Sequence, residues 1–175
     1  KGTQSTKLAE KYGLAHISTG DIFRAEIKAK SPLGLRVQSI IEKGELVSDE
    51  LLVDLLRSAM QKHPGTEGFL FDGYPRTTQQ AHDLEGLLKE MDGGVNVVLA
   101  LDVHDTELME RLLKRAQIEG RKDDTEEVIS NRLKVYHSQT KPLMDHYDLQ
   151  GKMESVHGLG TIEEIFKRLC EKIDK

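Results

Sequence analysis

The 175-residue sequence predicts an α/β fold, a parallel sheet covered by helices within one domain. Three observations carry this. Short apolar runs alternate with longer stretches of helical periodicity, the pattern of strand–helix–strand units. The two strongest runs, Phe69-Leu70-Phe71 and Val95 to Leu101 (VNVVLAL), are apolar throughout, as strands buried on both faces are. Each run closes on an aspartate, Asp72 and Asp102.

Taken in order, Lys1-Gly2-Thr3-Gln4 leads into a helix through Leu8 and Tyr12. Leu14 to Ser18 is a weaker strand candidate. Ser18-Thr19-Gly20-Asp21 is a small polar turn opening the next helix, with Arg24 one turn in. Ser48 can cap a helix whose apolar stripe is Leu51, Leu52, Leu55, Leu56 and Ala59. After the Phe69 strand, Tyr74-Pro75 stiffens a turn that aims Arg76, and Gln80 follows four residues on. Gly93-Gly94 is a loop inside the domain. Asp124 with Glu127 has capping-box spacing before Val128, Leu133 and Tyr136, and Thr161 with Glu164 repeats it before Ile165, Phe166, Leu169 and Ile173. Met153 to His157 is the last strand candidate.

Composition narrows the function classes. Charged residues make up 31% and hydrophobic ones 37%, the balance of a globular chain. The net charge of -5, with basic and acidic residues interspersed, argues against non-specific nucleic-acid binding, so any anion site must be local. Cys170 is the one cysteine; it cannot close an internal disulfide, fits a reducing compartment and reads as a small buried hydrophobe. No apolar run reaches membrane-spanning length. The seven histidines show no metal-ligand spacing.

Four groups of residues bear on chemistry. In open α/β sheets ligands sit beyond the carboxyl ends of the strands, which points to Ser18–Asp21, Asp72–Arg76, Asp102 onward and His157–Gly160. Lys1 before a helix N-terminus matches the end of a phosphate-binding loop, although Gly2 stands where such loops want Ser or Thr. Asp72 at a strand tip can hold magnesium through water. Arg24, one turn into its helix, could pair with phosphate in bidentate fashion, and Gly73 ahead of the Tyr74-Pro75 turn allows close backbone approach. Arg111 and Arg115, spaced i, i+4, share a helix face, Arg121 opens Gly120-Arg121-Lys122-Asp123-Asp124, and Arg132 lies two turns into the following helix. Each arginine singly fits a solvated face. Together, converging from several elements, they suit phosphoryl transfer, where catalysis is positioning and charge stabilisation.

The set KGTQ, STGD with Arg24, GELV at Gly44 to Val47, DGYPR with Gln80, and GRKDD with Arg132 resembles the adenylate kinase family, in order and spacing, over essentially the whole chain. The resemblance implies a P-loop-type three-layer fold with a parallel sheet of five strands in the full protein. The first strand and the glycine loop are absent ahead of Lys1, and about 20 further residues would supply them. Taken literally, a chain without that central strand is expected to fold poorly and to be inactive. The resemblance further implies one domain over 1–175, an AMP-binding arm at about 18–47 extending to about 57, and a short lid at about 115–124. Only Ala116 to Gly120 separates Arg115 from Arg121, where long-form members insert a small domain.

The implied reaction is reversible transfer of a phosphoryl group from ATP to AMP, giving two ADP. The residues implied to act in it are Lys1, Arg76, Arg115, Arg121 and Arg132. AMP is matched to Thr19, Gly20, Arg24, Glu45, Leu46, Val47, Gly73, Tyr74, Arg76, Gln80, Arg121 and Arg132. ATP is matched to Lys1, Gly2, Thr3, Arg111, Arg115 and Gly160. Mg2+ accompanies ATP, with Asp72 orienting it through water. The expected partners are ATP, AMP and ADP, with no nucleic acid and no membrane. A monomer is expected, in the cytoplasm or, with a targeting segment, an organelle. A UMP/CMP-type kinase and a catalytically incomplete nucleotide-binding fragment are the alternatives. The UMP/CMP relative typically has alanine where this chain has Thr19 and asparagine where it has Thr77, and both threonines favour AMP.

Overall fold

A computed structural model describes residues 1–175. The chain runs α1 (Gly2–Tyr12), β1 (Ala15–Ser18), α2 (Thr19–Lys28), α3 (Pro32–Glu42), α4 (Asp49–Gln61), β2 (Phe69–Asp72), α5 (Thr78–Lys89) and β3 (Val98–Asp102). It continues α6 (Asp105–Glu119), α7 (Glu126–Val135), a π-helical turn (Tyr136–Thr140), α8 (Lys141–Asp148), β4 (Met153–His157) and α9 (Ile162–Ile173). The strands pair in parallel as β1 with β2 and β3 with β4, and no ladder joins one pair to the other. The register sets Ser18 beside Asp72 and Asp102 beside His157, so the predicted polar tips do lie together at strand ends.

β3 is shorter at its start than the apolar run suggests. Parallel pairing begins at Val98, opposite Met153, where the Val98 N–H donates to the Lys152 carbonyl at 2.8 Å. Val95 instead packs on the core beside the ladder.

The largest apolar cluster contains Ile17, Phe23, Val37, Leu56, Met60 and Leu84 and joins α2–α5 to the first strand pair. A second unites Leu8 of α1 with Val156, Ile165, Leu169 and Cys170, and Leu70, Leu99 and Leu101 from both strand pairs pack on it. Each aliphatic side chain fully buried here contributes about 1.5–3 kcal/mol of transfer free energy. Cys170 is a buried free thiol, as its sequence setting predicts.

Helix starts follow hydroxyl caps. Ser18, Ser31, Thr77 and Thr125 each accept a backbone N–H three residues on, and Thr161 with Glu164 forms the complete capping box. Two expectations need correction. Ser48 precedes α4 but its side chain makes no capping bond. Asp124 does not cap α7: Thr125 does, because the Asp124 carboxylate is drawn inward by two arginines.

Candidate active site

A cleft opens beyond the carboxyl ends of β1 and β2, where ligands of open α/β sheets sit. Its walls come from the β1–α2 junction (Thr19, Gly20, Phe23, Arg24), the α3–α4 connection (Ile41, Gly44 to Val47, Leu52) and the β2–α5 turn (Gly73, Arg76, Gln80). Asp123 and Arg132 close the far side. Phe23, Val47 and Leu52 give it an apolar wall, while the peptide groups of Leu46 and Val47 make no backbone–backbone hydrogen bond and are free to meet a ligand.

The β2–α5 turn is held rigidly. The Arg76 Nε donates to the Gly73 carbonyl at 2.9 Å, and the Arg76 N–H donates to Gln80 Oε1 at 2.8 Å. Gln80 Nε2 donates to Asp49 Oδ1 at 2.8 Å, tying α5 to the start of α4. Gly73 has φ 84°, and a Cβ there would lie 3.0 Å from Thr19 Oγ1, which donates to the Gly73 carbonyl. Only glycine meets both demands.

The arginines differ in one respect. Arg115 makes a bidentate pair with Asp124 at 2.6 and 2.8 Å, and Arg132 binds the same carboxylate at 3.0 Å. Arg24 pairs with Asp21, Arg111 with Glu107 and Arg121 with Glu119. Arg76 forms no ion pair at all. Burial chiefly, then the positive charges of Arg132 and Arg24, pull its guanidinium below the ordinary arginine value, against the opposing pull of Asp72. Arg132 is lowered likewise by burial, with Arg115 and Arg24 adding and Asp124 opposing. A cleft whose cations repel one another is a cleft prepared for an anion.

Beside this cleft, Lys1 Nζ lies 3.1 Å from Asp72 Oδ1, and His16 Nε2 lies 3.6 Å from Asp72 Oδ2. Burial works to raise the Asp72 pKa, but Lys1 and then His16 outweigh it and hold the carboxyl below its usual range. Gly2 is close by: a Cβ on it would lie 3.9 Å from Asp72. Thr3 occupies the first turn of α1. Arg111 reaches from α6 to the Gly158 carbonyl at 3.0 Å, which places it by the β4–α9 loop that contains Gly160. The stretch expected to form a lid, 115–124, is the end of α6, stopped by Gly120 in the left-handed conformation, and the turn into α7.

The structure thus gathers Thr19, Gly20, Arg24, Glu45, Leu46, Val47, Gly73, Arg76, Gln80 and Arg132 around one cleft. Tyr74 and Arg121 lie outside its walls. Tyr74 is buried in the core with its hydroxyl donating to the Gln80 carbonyl, and Arg121 turns to Glu119. Sequence reasoning missed the apolar wall of Phe23, Ile41 and Leu52, and it missed Asp124 as the shared partner of two arginines. The pair Asp123-Asp124 directly after a basic dipeptide was the available signal.

Parallel strand tips and arginines clustered around a cleft are the features of a site for phosphate-bearing ligands. The family model described as Adenylate kinase matches residues 1–152. An adenylate kinase of Bacteroides thetaiotaomicron is 49% identical over 175 residues, covering 100% of this chain and 93% of the relative. One from Bacteroides fragilis is 48% identical over 174 residues, covering 99% and 92%. One from Micrococcus luteus is 43% identical over 173 residues, covering 99% and 84%. The chain belongs to the adenylate kinase family and is a phosphotransferase.

Proposed function

We propose that the cleft holds AMP, with its phosphate on Arg76, and that ATP approaches from the Lys1 side. The reaction is reversible phosphoryl transfer from ATP to AMP, giving two ADP. An AMP phosphate oxygen forms a bond to the terminal phosphorus of ATP. The bridging P–O bond to the second phosphate breaks, and its electrons leave on ADP. No protein nucleophile is required.

The observation that carries the acceptor assignment is Arg76, a cation in the cleft with no carboxylate partner. Thr19, Gly20, Gly73 and Arg24 surround the same phosphate, and Tyr74 supports Gln80 from behind. The open peptide groups of Leu46 and Val47, with Glu45, line the ribose and base. Gln80 has one further lone pair and one further N–H to offer the adenine edge. On the donor side Lys1, Gly2 and Thr3 meet the phosphates, and Arg111 with the Gly160 loop meets the adenine. Arg115, Arg121 and Arg132 close over the transferring group, and closure excludes water that would otherwise hydrolyse ATP. In this reading residues of about 18–57 form the AMP arm and about 115–124 the lid of one domain.

Asp72 fits a hydrated Mg2+. A lone carboxylate at a strand end, beside Lys1, offers the sparse oxygen set of an ion that keeps most of its waters. Bound with ATP, Mg2+ supplies neutralisation of charge on the phosphates. No helix is long and apolar enough to cross a membrane. We assign the protein as a monomer of the cytoplasm, acting on free nucleotides rather than on nucleic acid or membranes. Thr19 and Thr77 stand where the UMP/CMP-type relative typically has alanine and asparagine, and this difference supports AMP over UMP and CMP. Initial rates with ATP as donor and AMP, UMP or CMP as acceptor test this. AMP should be turned over fastest, and faster turnover of UMP would sink the assignment.

A further inference from the structure

One cluster of ligating side chains lies outside the cleft. His82 and Glu85 stand three residues apart on α5, and His146 projects from α8. His146 Nε2 is 3.1 Å from Glu85 Oε1, and His82 Nδ1 is 3.8 Å from Glu85 Oε2. The two imidazole rings meet edge to face with centroids 4.8 Å apart. One ligand atom from each of the three residues lies within 4.8 Å of the other two. Gln150, one turn beyond His146, brings its amide to 3.0 Å from His146 Nε2 and 3.2 Å from Glu85 Oε1. Rotating that amide by half a turn exchanges its nitrogen for an oxygen at the same place.

We propose that His82, Glu85 and His146 bind a divalent transition ion of the zinc class, with Gln150 or a water as fourth ligand. In a tetrahedral zinc site the bonds are about 2.0–2.2 Å, so ligand atoms stand about 3.3–3.5 Å apart. The separations of His146 and His82 from Glu85, each to a different carboxylate oxygen, bracket that value already. The widest pair closes by rotation of His82, whose side chain is 57% exposed and free to turn. Two imidazoles and one carboxylate select zinc-like ions over Mg2+ and Ca2+, which prefer oxygen.

The site has a structural logic. Beneath it Ala81 of α5 packs on Leu143 and Tyr147 of α8, a small apolar contact. Glu85 and His146 are 61 residues apart in the chain, so an ion between them closes a long loop at the polar rim of that contact. It would clamp α5, whose first turn carries Gln80 of the cleft, against α8, which packs beside β4.

The test uses the metal-stripped full chain without nucleotide. ZnCl2 and, separately, MgCl2 are titrated by calorimetry, and the thermal midpoint is followed alongside. One equivalent of Zn2+ should bind, and Zn2+ at a hundredfold over its Kd should raise the midpoint by about 5–10 °C. His146→Ala and Glu85→Gln should weaken binding at least tenfold and remove most of the midpoint rise, while keeping the metal-free midpoint within a few degrees. His137→Ala, at a histidine paired with Asp105 elsewhere on the surface, should change neither. Failure of Zn2+ to bind stoichiometrically overturns the proposal, as does equal Zn2+ binding in His146→Ala and Glu85→Gln. A cluster held by hydrogen bonds alone would give the first of these results.

Discussion

At the scale of single residues, the six arginines of the site divide sharply. Five rest on carboxylates of the protein itself, and Arg76 rests on a carbonyl and the field of its neighbours. Arg76→Ala should therefore lower kcat/KM for AMP by about 10²–10³, with a thermal midpoint shifted by no more than the few degrees that loss of its bond to the Gly73 carbonyl costs. Arg76→Lys should recover little of the loss, because a point charge cannot make the planar two-pronged contact. Steady-state kinetics with varied AMP measures both. Asp72 supplies a pH prediction. Its folded-state pKa lies below the ordinary carboxylate value of about 3.9, so the unfolded chain takes up its proton first. Its stabilising contribution is complete above that value and disappears as acid carries the pH down through the folded pKa. Urea melts across pH 2.5–6 should show an acid limb that is shallower in Asp72→Asn than in the parent.

At the scale of elements, the α2–α3 hairpin turns on Gly34. A Cβ there would stand 2.2 Å from the Glu26 carbonyl oxygen and 2.6 Å from the Ile27 nitrogen, backbone atoms with nowhere to go. Gly34→Ala should cost about 1–3 kcal/mol, lowering the midpoint by roughly 2–12 °C in calorimetry. Gly44 is constrained in another way: its φ is 72°, and a Cβ there would stand 2.8 Å from the Arg132 side chain and 3.0 Å from the Val128 carbonyl oxygen. The elements were largely legible in the sequence, because two local signals dominate them. Continuous apolar runs mark Phe69–Asp72 and the end of the Val95 stretch, a helical stripe alone marks α4, and a hydroxyl cap with a stripe marks α9. The start of β3 was not legible, since Val95 and Val97 are as apolar as Val98 and only the position of Met153 decides where pairing begins. The cap of α7 failed for a different reason. Asp124 and Thr125 both suit an N-terminus, and the choice is made by Arg115 and Arg132, one from α6 and one from α7 itself.

At the scale of the whole molecule, the cleft joins three stretches of chain that are far apart in sequence, around Thr19, Leu46 and Arg76, with Arg132 closing it. Its polar members could be named from motifs. Its apolar wall could not, because Phe23 and Leu52 look like any core residue until α2, α3 and α4 are folded against one another. If AMP occupies this cleft as proposed, AMP at a hundredfold over its Kd should stabilise the native state by about 2.7 kcal/mol. A thermal-shift series with AMP and UMP at equal concentration should show the larger rise with AMP. A larger rise with UMP would contradict the acceptor assignment independently of turnover.

Asp124 bears on the tempo of the proposed site. Its carboxylate is fully enclosed and already occupies two guanidiniums, so on the proposed assignment a phosphate reaching Arg115 or Arg132 would enter as a competitor and not into an empty seat. The guanidiniums would stay oriented without nucleotide, and each nucleotide would gain only the difference between two anions. Such an exchange would shorten residence on both sides of a reversible reaction whose products are as charged as its substrates.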